Sequence, residues 1–337
     1  DWSVLAFALA VGLATGVLFG FAPAIQAARR ETTPALRASA PAGFRRLLGR
    51  KALVTAQLAL SLVLLAASSL LLRALSRAGS IDVGFDPEGV ETFAVDLGLA
   101  GYSEEQLGVA QAELAERLAT LPAVDRAAFA AVLPLNFDSM GFGGVVAERP
   151  VPGAVAPEYG HEADVNVVTP DYFATLGITV RGRVFDARDT AASPKVAVIT
   201  QSMARLLFGE RDPLGEAFLL DPRGDELRVE VVGVVRDGRF KSLGTEPEAT
   251  FFVPSAQFAR GYGYILLESH GDRAALARSV AAEVAAFDAD IPRPELRPLE
   301  AIAANSTLPQ RVAVSVAGSL GILGVTLAAI GLYGLLA

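Results

Sequence analysis

The sequence ALVTAQLALSLVLLAASSLLL, from Ala52 to Leu72, decides where the rest of this chain must lie. It runs 21 residues without a charge, a glycine or a proline. At 1.5 Å rise per residue that is roughly 30 Å of helix, the thickness of the hydrocarbon core of a bilayer. The stretch is therefore expected to span a membrane. Immediately before it, Arg29, Arg30, Arg37, Arg45, Arg46, Arg50 and Lys51 stand against a single acid, Glu31. Cationic loops stay on the cytoplasmic side, so residues 29–51 read as a basic cytoplasmic linker, with Arg29, Arg30, Arg45, Arg46, Arg50 and Lys51 setting the topology. The helix then leaves the cytoplasm as it runs toward Arg73, and Arg73 to Arg311 are expected outside.

Two further uncharged runs, Trp2 to Ala28 and Val312 to Ala337, lie at the ends of the chain. The first is no signal peptide: it has no positive n-region, is too long for an h-region, and its cations follow the apolar run. Residues 1–28, 52–72 and 312–337 thus read as three spans of alternating direction in a multi-pass protein of a bacterial inner membrane. The chain opens without Met and stops inside an apolar run, so it is expected to be an excerpt of a longer membrane protein. Ala8, Gly12, Gly16, Gly20, Ala24 and Ala28 recur at a strict four-residue spacing in the first run. In lipid the hydrophobic drive for helix association is small, and such a stripe, centred on Gly12, Gly16 and Gly20, lets a second helix approach closely.

The outer segment carries the acidic excess of the chain: 22 Lys and Arg against 35 Asp and Glu from Arg73 to Arg311, in a protein of net charge −8. A domain of that sign repels polyanions, which excludes nucleic acid as its partner; the basic linker is suited instead to anionic membrane lipid or a cytosolic protein. With no cysteine in the chain, disulfides, thiolate metal sites and cysteine nucleophiles are excluded.

The expected fold class is α+β, with the outer domain over residues 80–309. Val90 to Leu97 has strand composition. Ser103, with Gln106 three residues on, is a capping-box start for a helix with Leu107, Ala110, Leu114, Leu118 and Leu121 on one face. Pro122 ends that helix, and Val124 to Leu133 is the next strand. The same order recurs at Tyr262 to Glu268 (strand), Asp272 (N-cap), Leu276, Val280, Val284 and Phe287 (one helix face) and Glu295 to Leu299 (short strand). Two β-α-β units so far apart predict one lobe split over residues 85–133 and 261–300, with a mostly β lobe, residues 134–260, inserted. Within the insert, Asp164 to Val168, Lys195 to Thr200, Leu227 to Val235 and Ala249 to Pro254 read as strands, and short helices begin near Pro170 and Gln201. VEVVGVV, from Val229 to Val235, is apolar enough to be buried on both faces, and its Gly233 suggests a bulge or a close backbone contact.

Catalytic constellations are weak. His161, Glu162 and Asp164 are metal-ligand types, but neighbours on a strand diverge to opposite faces. His270 with Gly271 and Asp272 reads as a turn before a helix cap. DPRGDE, from Asp221 to Glu226, lacks the regular oxygen spacing of a calcium loop and reads as a hairpin tip. The lysines, Lys51, Lys195 and Lys241, stand in no phosphate-loop frame, and no G-x-S-x-G elbow occurs. No catalytic, cofactor or metal residue is expected in this chain.

The residues do carry a resemblance. FAPAIQAARRETTPALR, from Phe21 to Arg37, resembles the closing signature of an FtsX-type permease, with Pro23, Ala27, Ala28, Arg29, Pro34, Ala35, Leu36 and Arg37 in its pattern. Ala56 to Leu72 then resembles the first helix of a second such unit. In order along the outer domain, Tyr172, Phe173, Leu176 and Gly177, then Gly182, Arg183 and Phe185, then Phe208 and Gly209, then Asp212 to Gly215, then Val231 to Val235 with Asp237 resemble a MacB-type periplasmic core domain. AAIGLYG, Ala328 to Gly334, is similar to the start of the next FtsX-type block. Two such units in one chain form the duplicated orphan permease (ADOP) pattern.

The resemblance implies a porter-like α/β lobe interrupted by a second, mostly β lobe. It also implies a separate cytosolic ABC ATPase, which would bind ATP and Mg, and motion of the outer domain driven by that ATPase. Under it the chain is an ABC-transporter permease for efflux or export, with a periplasmic adaptor or effector as a further partner. The alternatives are an FtsX-like regulatory scaffold that controls periplasmic proteins without transport, and a membrane-tethered periplasmic enzyme or receptor. The last leaves the basic linker and the glycine stripe unused.

Overall fold

The computed structural model describes residues 83–305, with breaks at 137–139, 152–156, 222–225 and 242–247, together with isolated helical positions within 55–73 and 312–329. Gly12, Gly16, Gly20, the cations Arg29 to Lys51 and most of the three apolar runs lie outside the described residues. Among the described residues no helix is long and apolar enough to cross a membrane. The chain divides into two units, Asp1–Ala59 with Ile330–Ala337, and Leu60–Ala329. The domain described below belongs to the second.

Two β-α-β units interleave. The first is β1 (Val90–Asp96), α1 (Glu104–Ala119) and β2 (Val124–Ala130). Ser103 starts its helix, its N–H donating to Gln106 Oε1 at 3.0 Å, and Leu107, Ala110, Leu114 and Leu118 are buried. The second is β10 (Tyr262–Ser269), α4 (Arg273–Phe287) and β11 (Arg297–Pro298). Its helix begins on Asp272, whose carboxylate accepts from the Ala274 and Ala275 amides at 3.2 and 3.0 Å. These amides have no partner within the helix, so Asp272→Ala should lower the unfolding free energy by about 1 kcal/mol. Denaturant titration checks this, and a loss under a few tenths would mean water replaces the cap. The strand order is β11-β1-β10-β2. β10 thus lies between β1 and β2, antiparallel to each, with Phe93 facing Ile265 and Ile265 facing Phe129.

The segment between the units forms a closed ring of strands. Its members are β3 (Met140–Ala147), β4 (His161–Val168), β6 (Lys195–Thr200), β7 (Ala217–Leu220), β8 (Leu227–Val235) and β9 (Thr250–Pro254). β4 pairs with β3, β3 with β7, β7 with β8, β8 with β6, β6 with β9, and β9 returns to β4 in parallel. Closure removes the exposed edges that a short open sheet would present. Phe218 on β7 meets Phe251 on β9 at 5.5 Å, and those strands are three places apart round the ring, so their contact crosses its interior. Strand side chains alternate, so the next residue, Phe252, points outward. A short β5 (Val180–Gly182) pairs with β8; α2 (Tyr172–Thr175) and α3 (Gln201–Phe208) complete the segment, and α5 (Leu299–Asn305) follows β11.

The sequence placed β6 and β8 at the bounds observed and the other strands it named within a few residues. It did not anticipate β3, β5, β7 or α5. Around Gly233 both expected features occur. β8 slips register against β6, where Ala197 faces Val231 and Val198 faces Gly233, and a Cβ on Gly233 would lie 2.6 Å from the Arg183 carbonyl. Residues 222–225, the expected hairpin tip, lie outside the described residues; on either side of them β7 and β8 pair antiparallel, Leu220 facing Leu227.

Ring and interleaved units are joined between β2 and β4. One register pair, Ala130 with Val168, is extended by the Ala131 N–H to the Val167 carbonyl (2.9 Å) and the Thr169 N–H to the Phe129 carbonyl (3.0 Å). Where the strands diverge, the buried Asn166 side chain substitutes for a strand neighbour. Its amide donates to the Val132 carbonyl at 2.8 Å and its oxygen accepts from the Val132 N–H at 3.1 Å. Such pairing removes the cost of burying polar groups at the join.

A candidate coupling site where the chain joins the domain

The described domain begins at Val83 and ends on α5, and both segments pack into one hydrophobic cluster. Phe85 is 8% exposed and Leu299 fully buried in that cluster, with Val83 and Ile302 packed against it. The incoming segment is held chiefly by its backbone: the Arg239 N–H donates to the Val83 carbonyl at 2.9 Å and the Asp86 N–H to the Leu176 carbonyl at 2.9 Å. Gly84 sits at φ +84°, and a Cβ there would stand 2.8 Å from Gly238 Cα. Only glycine allows both that conformation and that approach.

From this point a run of aromatic rings crosses the cluster. Phe85 stacks on Phe240 with centroids 6.0 Å apart, and Phe240 meets Phe252 edge-on at 5.3 Å. Phe252 in turn touches Tyr172 at 5.8 Å and Phe173 at 5.3 Å, and Phe173 reaches Phe185 at 5.9 Å. Edge-on and tilted contacts of this kind add to the burial of each ring. Tyr172 is wholly buried, and desolvation raises its hydroxyl pKa well above the ordinary value. The other wall of the cluster is the second face of the interleaved sheet, Val90, Ala128, Ala130 and Leu266. The junction therefore lies between the outer surface of the ring and that sheet, with the first and last segments of the described domain, at Phe85 and Leu299, in it.

Polar contacts fix the loops around it. The Asp237 carboxylate accepts from the Ser202 amide and from Arg205 Nη2, each at 2.5 Å, which ties the 237–240 loop to the first turn of α3. The Phe240 carbonyl accepts from the Leu135 N–H at 2.7 Å. Arg183 grips Asp189 in a two-bonded fork at 2.7 and 2.8 Å, and the Asp186 N–H donates to the same carboxylate at 2.9 Å. Burial alone would raise the Asp189 pKa; these donors outweigh it and hold the carboxyl below its ordinary range. Asp186 is held lower still, chiefly by the side chain and amide of Arg188.

The residues that carry the resemblance now have physical roles. Tyr172, Phe173, Leu176 and Phe185 are buried at the junction, and Gly177, Gly182, Gly209 and Gly215 all have positive φ. Asp212 accepts from the Leu214 amide at 3.2 Å and pairs with Arg181 at 3.1 Å. His161 and Glu162 are neighbours on β4, and His270 contacts Asp125 at 3.1 Å ahead of the α4 cap. Among the described residues, no group of three His, Asp or Glu is placed to hold a metal ion. The sequence reading missed Phe85 and Phe240; Phe240 is a lone aromatic in the polar run RDGRFKS and carries no periodic signal.

Interleaved β-α-β units carrying an inserted ring of strands define a mixed α/β domain. The chain belongs to the family of MacB-like periplasmic core domains, whose model matches residues 52–283. It is 31% identical over 134 residues to the macrolide export ATP-binding/permease protein MacB of Rhodospirillum rubrum, a match covering 38% of this chain and 20% of that protein. The chain thus matches about a fifth of the length of this curated relative. Among solved structures it is similar to the periplasmic region of MacB from Actinobacillus actinomycetemcomitans (14% identity, TM-score 0.42, 65% of this chain and 93% of that one). It is also similar to the extracellular domain of the noncanonic ABC-type transporter YknZ from Gram-positive bacteria (18%, 0.39, 61% and 99%).

Proposed function

We propose that the chain is part of an ABC-transporter permease in which a separate cytosolic ATPase, binding ATP and Mg, moves the periplasmic domain to drive efflux or export. The observation that carries this reading is the junction: both segments joining the domain to the rest of the chain pack into one cluster with the ring. Displacing either segment would push on the same aromatic contacts. In this reading residues 85–133 with 261–300 act as a porter-like lobe and residues 134–260 as an inserted, mostly β lobe. Residues 1–28, 52–72 and 312–337 cross a bacterial inner membrane, with the ADOP arrangement of two permease units. A periplasmic adaptor or effector is the partner on the far side.

The functional test is deletion of the gene together with loss of ATP hydrolysis in the ATPase. Both should raise sensitivity to the same exported compounds. Unchanged efflux with altered cell-wall hydrolysis in both strains would instead identify a regulatory scaffold.

Topology has its own test in this cysteine-free chain. Leu99, 87% exposed on the turn after β1, and Ser39 in the basic linker can each be replaced by cysteine. An impermeant maleimide should label Leu99→Cys in intact cells and Ser39→Cys only after lysis, as the positive-inside rule requires. Equal labelling of both in intact cells would reverse this arrangement.

A further inference from the structure

The interleaved sheet has α1 and α4 on one face, where Phe93, Val95, Ile265 and Leu267 are buried. Its second face is covered only in part. Leu133, Leu135 and Ile302 shield the lower portion, while Ala94 is exposed and Tyr262 remains 50% exposed. The uncovered portion forms a cleft of about 440 Å³ between β1, β10 and the 293–297 segment. That volume falls within the usual range of small-molecule sites, roughly 300–1,000 Å³.

The chemistry of its walls is specific. The floor is apolar, from Leu133, Leu135 and Ile302. Along one side Tyr262 and Tyr264 meet edge-on at 5.5 Å, with their hydroxyls 3.1 Å apart, and Asn136 donates to the Tyr264 hydroxyl at 3.4 Å. On the other side lie Arg293, Glu295 and Arg297. Arg293 is exposed and makes no ion pair among the described residues. Arg297 contacts Glu295 at 3.4 Å, but the two side chains are 70% and 82% exposed, and a pair so open to water is worth little. The cleft thus has a cationic rim in an otherwise acidic domain, beside an aromatic wall and an aliphatic floor.

We propose that this cleft binds a small amphipathic anion. Its aromatic or acyl body would lie against Tyr262 and the aliphatic floor, and its carboxylate, sulfonate or phosphate between Arg293 and Arg297. Arg293 makes no ion pair among the described residues and the Arg297–Glu295 pair is open to water, so an anionic group placed between the two guanidinium groups replaces mainly water. Ile302 belongs to α5, so an occupant would touch the segment on which the described domain ends.

The test uses the full chain in neutral detergent with two probes of similar shape and opposite charge, naphthalenesulfonate and naphthyltrimethylammonium, in equilibrium dialysis. The sulfonate should bind one per chain and about tenfold more tightly than the ammonium. Arg293→Gln should weaken the sulfonate about tenfold, in line with the loss of a hydrogen bond to a charged group, and leave the melting temperature unchanged because the side chain is exposed. Tyr262→Ala should weaken both probes alike, separating the aromatic wall from the charge. Equal affinity for the two probes, unchanged sulfonate affinity in Arg293→Gln, or no sulfonate binding in the millimolar range would each overturn the proposal.

Discussion

Replacing Phe252 with Ala should destabilise the domain by about 3–5 kcal/mol, the range for emptying a large aromatic from a packed core. Phe252 is 1% exposed and in ring contact with Phe240, Tyr172 and Phe173 at once. Its strand β9 is held between β4 and β6, so the backbone has little freedom to move into the void. In a domain of this size the loss corresponds to a drop in melting temperature of about 10 °C. Phe252→Leu keeps most of the volume and should cost far less. Leu206→Ala, on a half-exposed position of α3, should stay within about 0.5 kcal/mol. Melting of the full chain followed by circular dichroism decides the matter. A shift under 2 °C for Phe252→Ala would mean that the ring and the sheet do not bear on each other through this residue. Under the proposed transport role, the same substitution should also lower efflux in cells more than its effect on abundance explains, since it breaks the aromatic run between the incoming segment and the ring.

The parts of the fold that were legible in the sequence are those where one local rule acts alone. The α1 and α4 faces repeat at helical spacing and their caps lie where Ser103 and Asp272 predict, whereas β8 is buried on both faces only at its end, Gly233 to Val235, and Arg228 and Glu230 stay open to water. Four strands of the ring were legible, but its closure through β3 and β7 was not. β3, MGFGGVVA, holds three glycines and no alternation, and β7 is only four residues long, so neither has a strand signature of its own. They become strands because closure gives each two neighbours, a tertiary effect outweighing propensity. The junction was half legible. Tyr172, Phe173 and Phe185 stood out through the family resemblance, but Phe85 lies far in sequence from Phe240 and Phe252 and meets Phe240 only once the domain has packed. Gly84 carried no signal in the sequence, because the close approach to Gly238 that requires a glycine there depends on a loop more than 150 residues away.

Removing the Asp189 carboxylate should cost nearly as much as emptying the core, for an electrostatic reason that can be separated from packing. Its side chain is 4% exposed and that of Arg183 35%. Asp189→Ala leaves the guanidinium only the Val184 carbonyl at 3.1 Å and Asp186 at 3.6 Å, and the Asp186 N–H without its acceptor. Breaking a fully buried pair in this way costs several kcal/mol; because Arg183 still reaches water, about 2–4 kcal/mol is expected here. The pH dependence isolates the charge. The folded carboxyl titrates below its ordinary range, so its contribution is fully present above the unfolded value near pH 3.9 and is lost as pH falls through the lower folded value. Asp189→Asn preserves the shape and one acceptor but removes that proton linkage. Between about pH 5 and pH 2 the wild-type domain should therefore lose stability more steeply than the Asn variant. Asp186, also depressed, supplies the slope that remains in the variant. If both proteins lose stability in parallel over that interval, the Arg183 fork does not hold the Asp189 charge, and the loop joining β5 to β6 is kept in place by Phe185 packing and the Gln257 side-chain bonds to Thr190, Ser193 and Pro194.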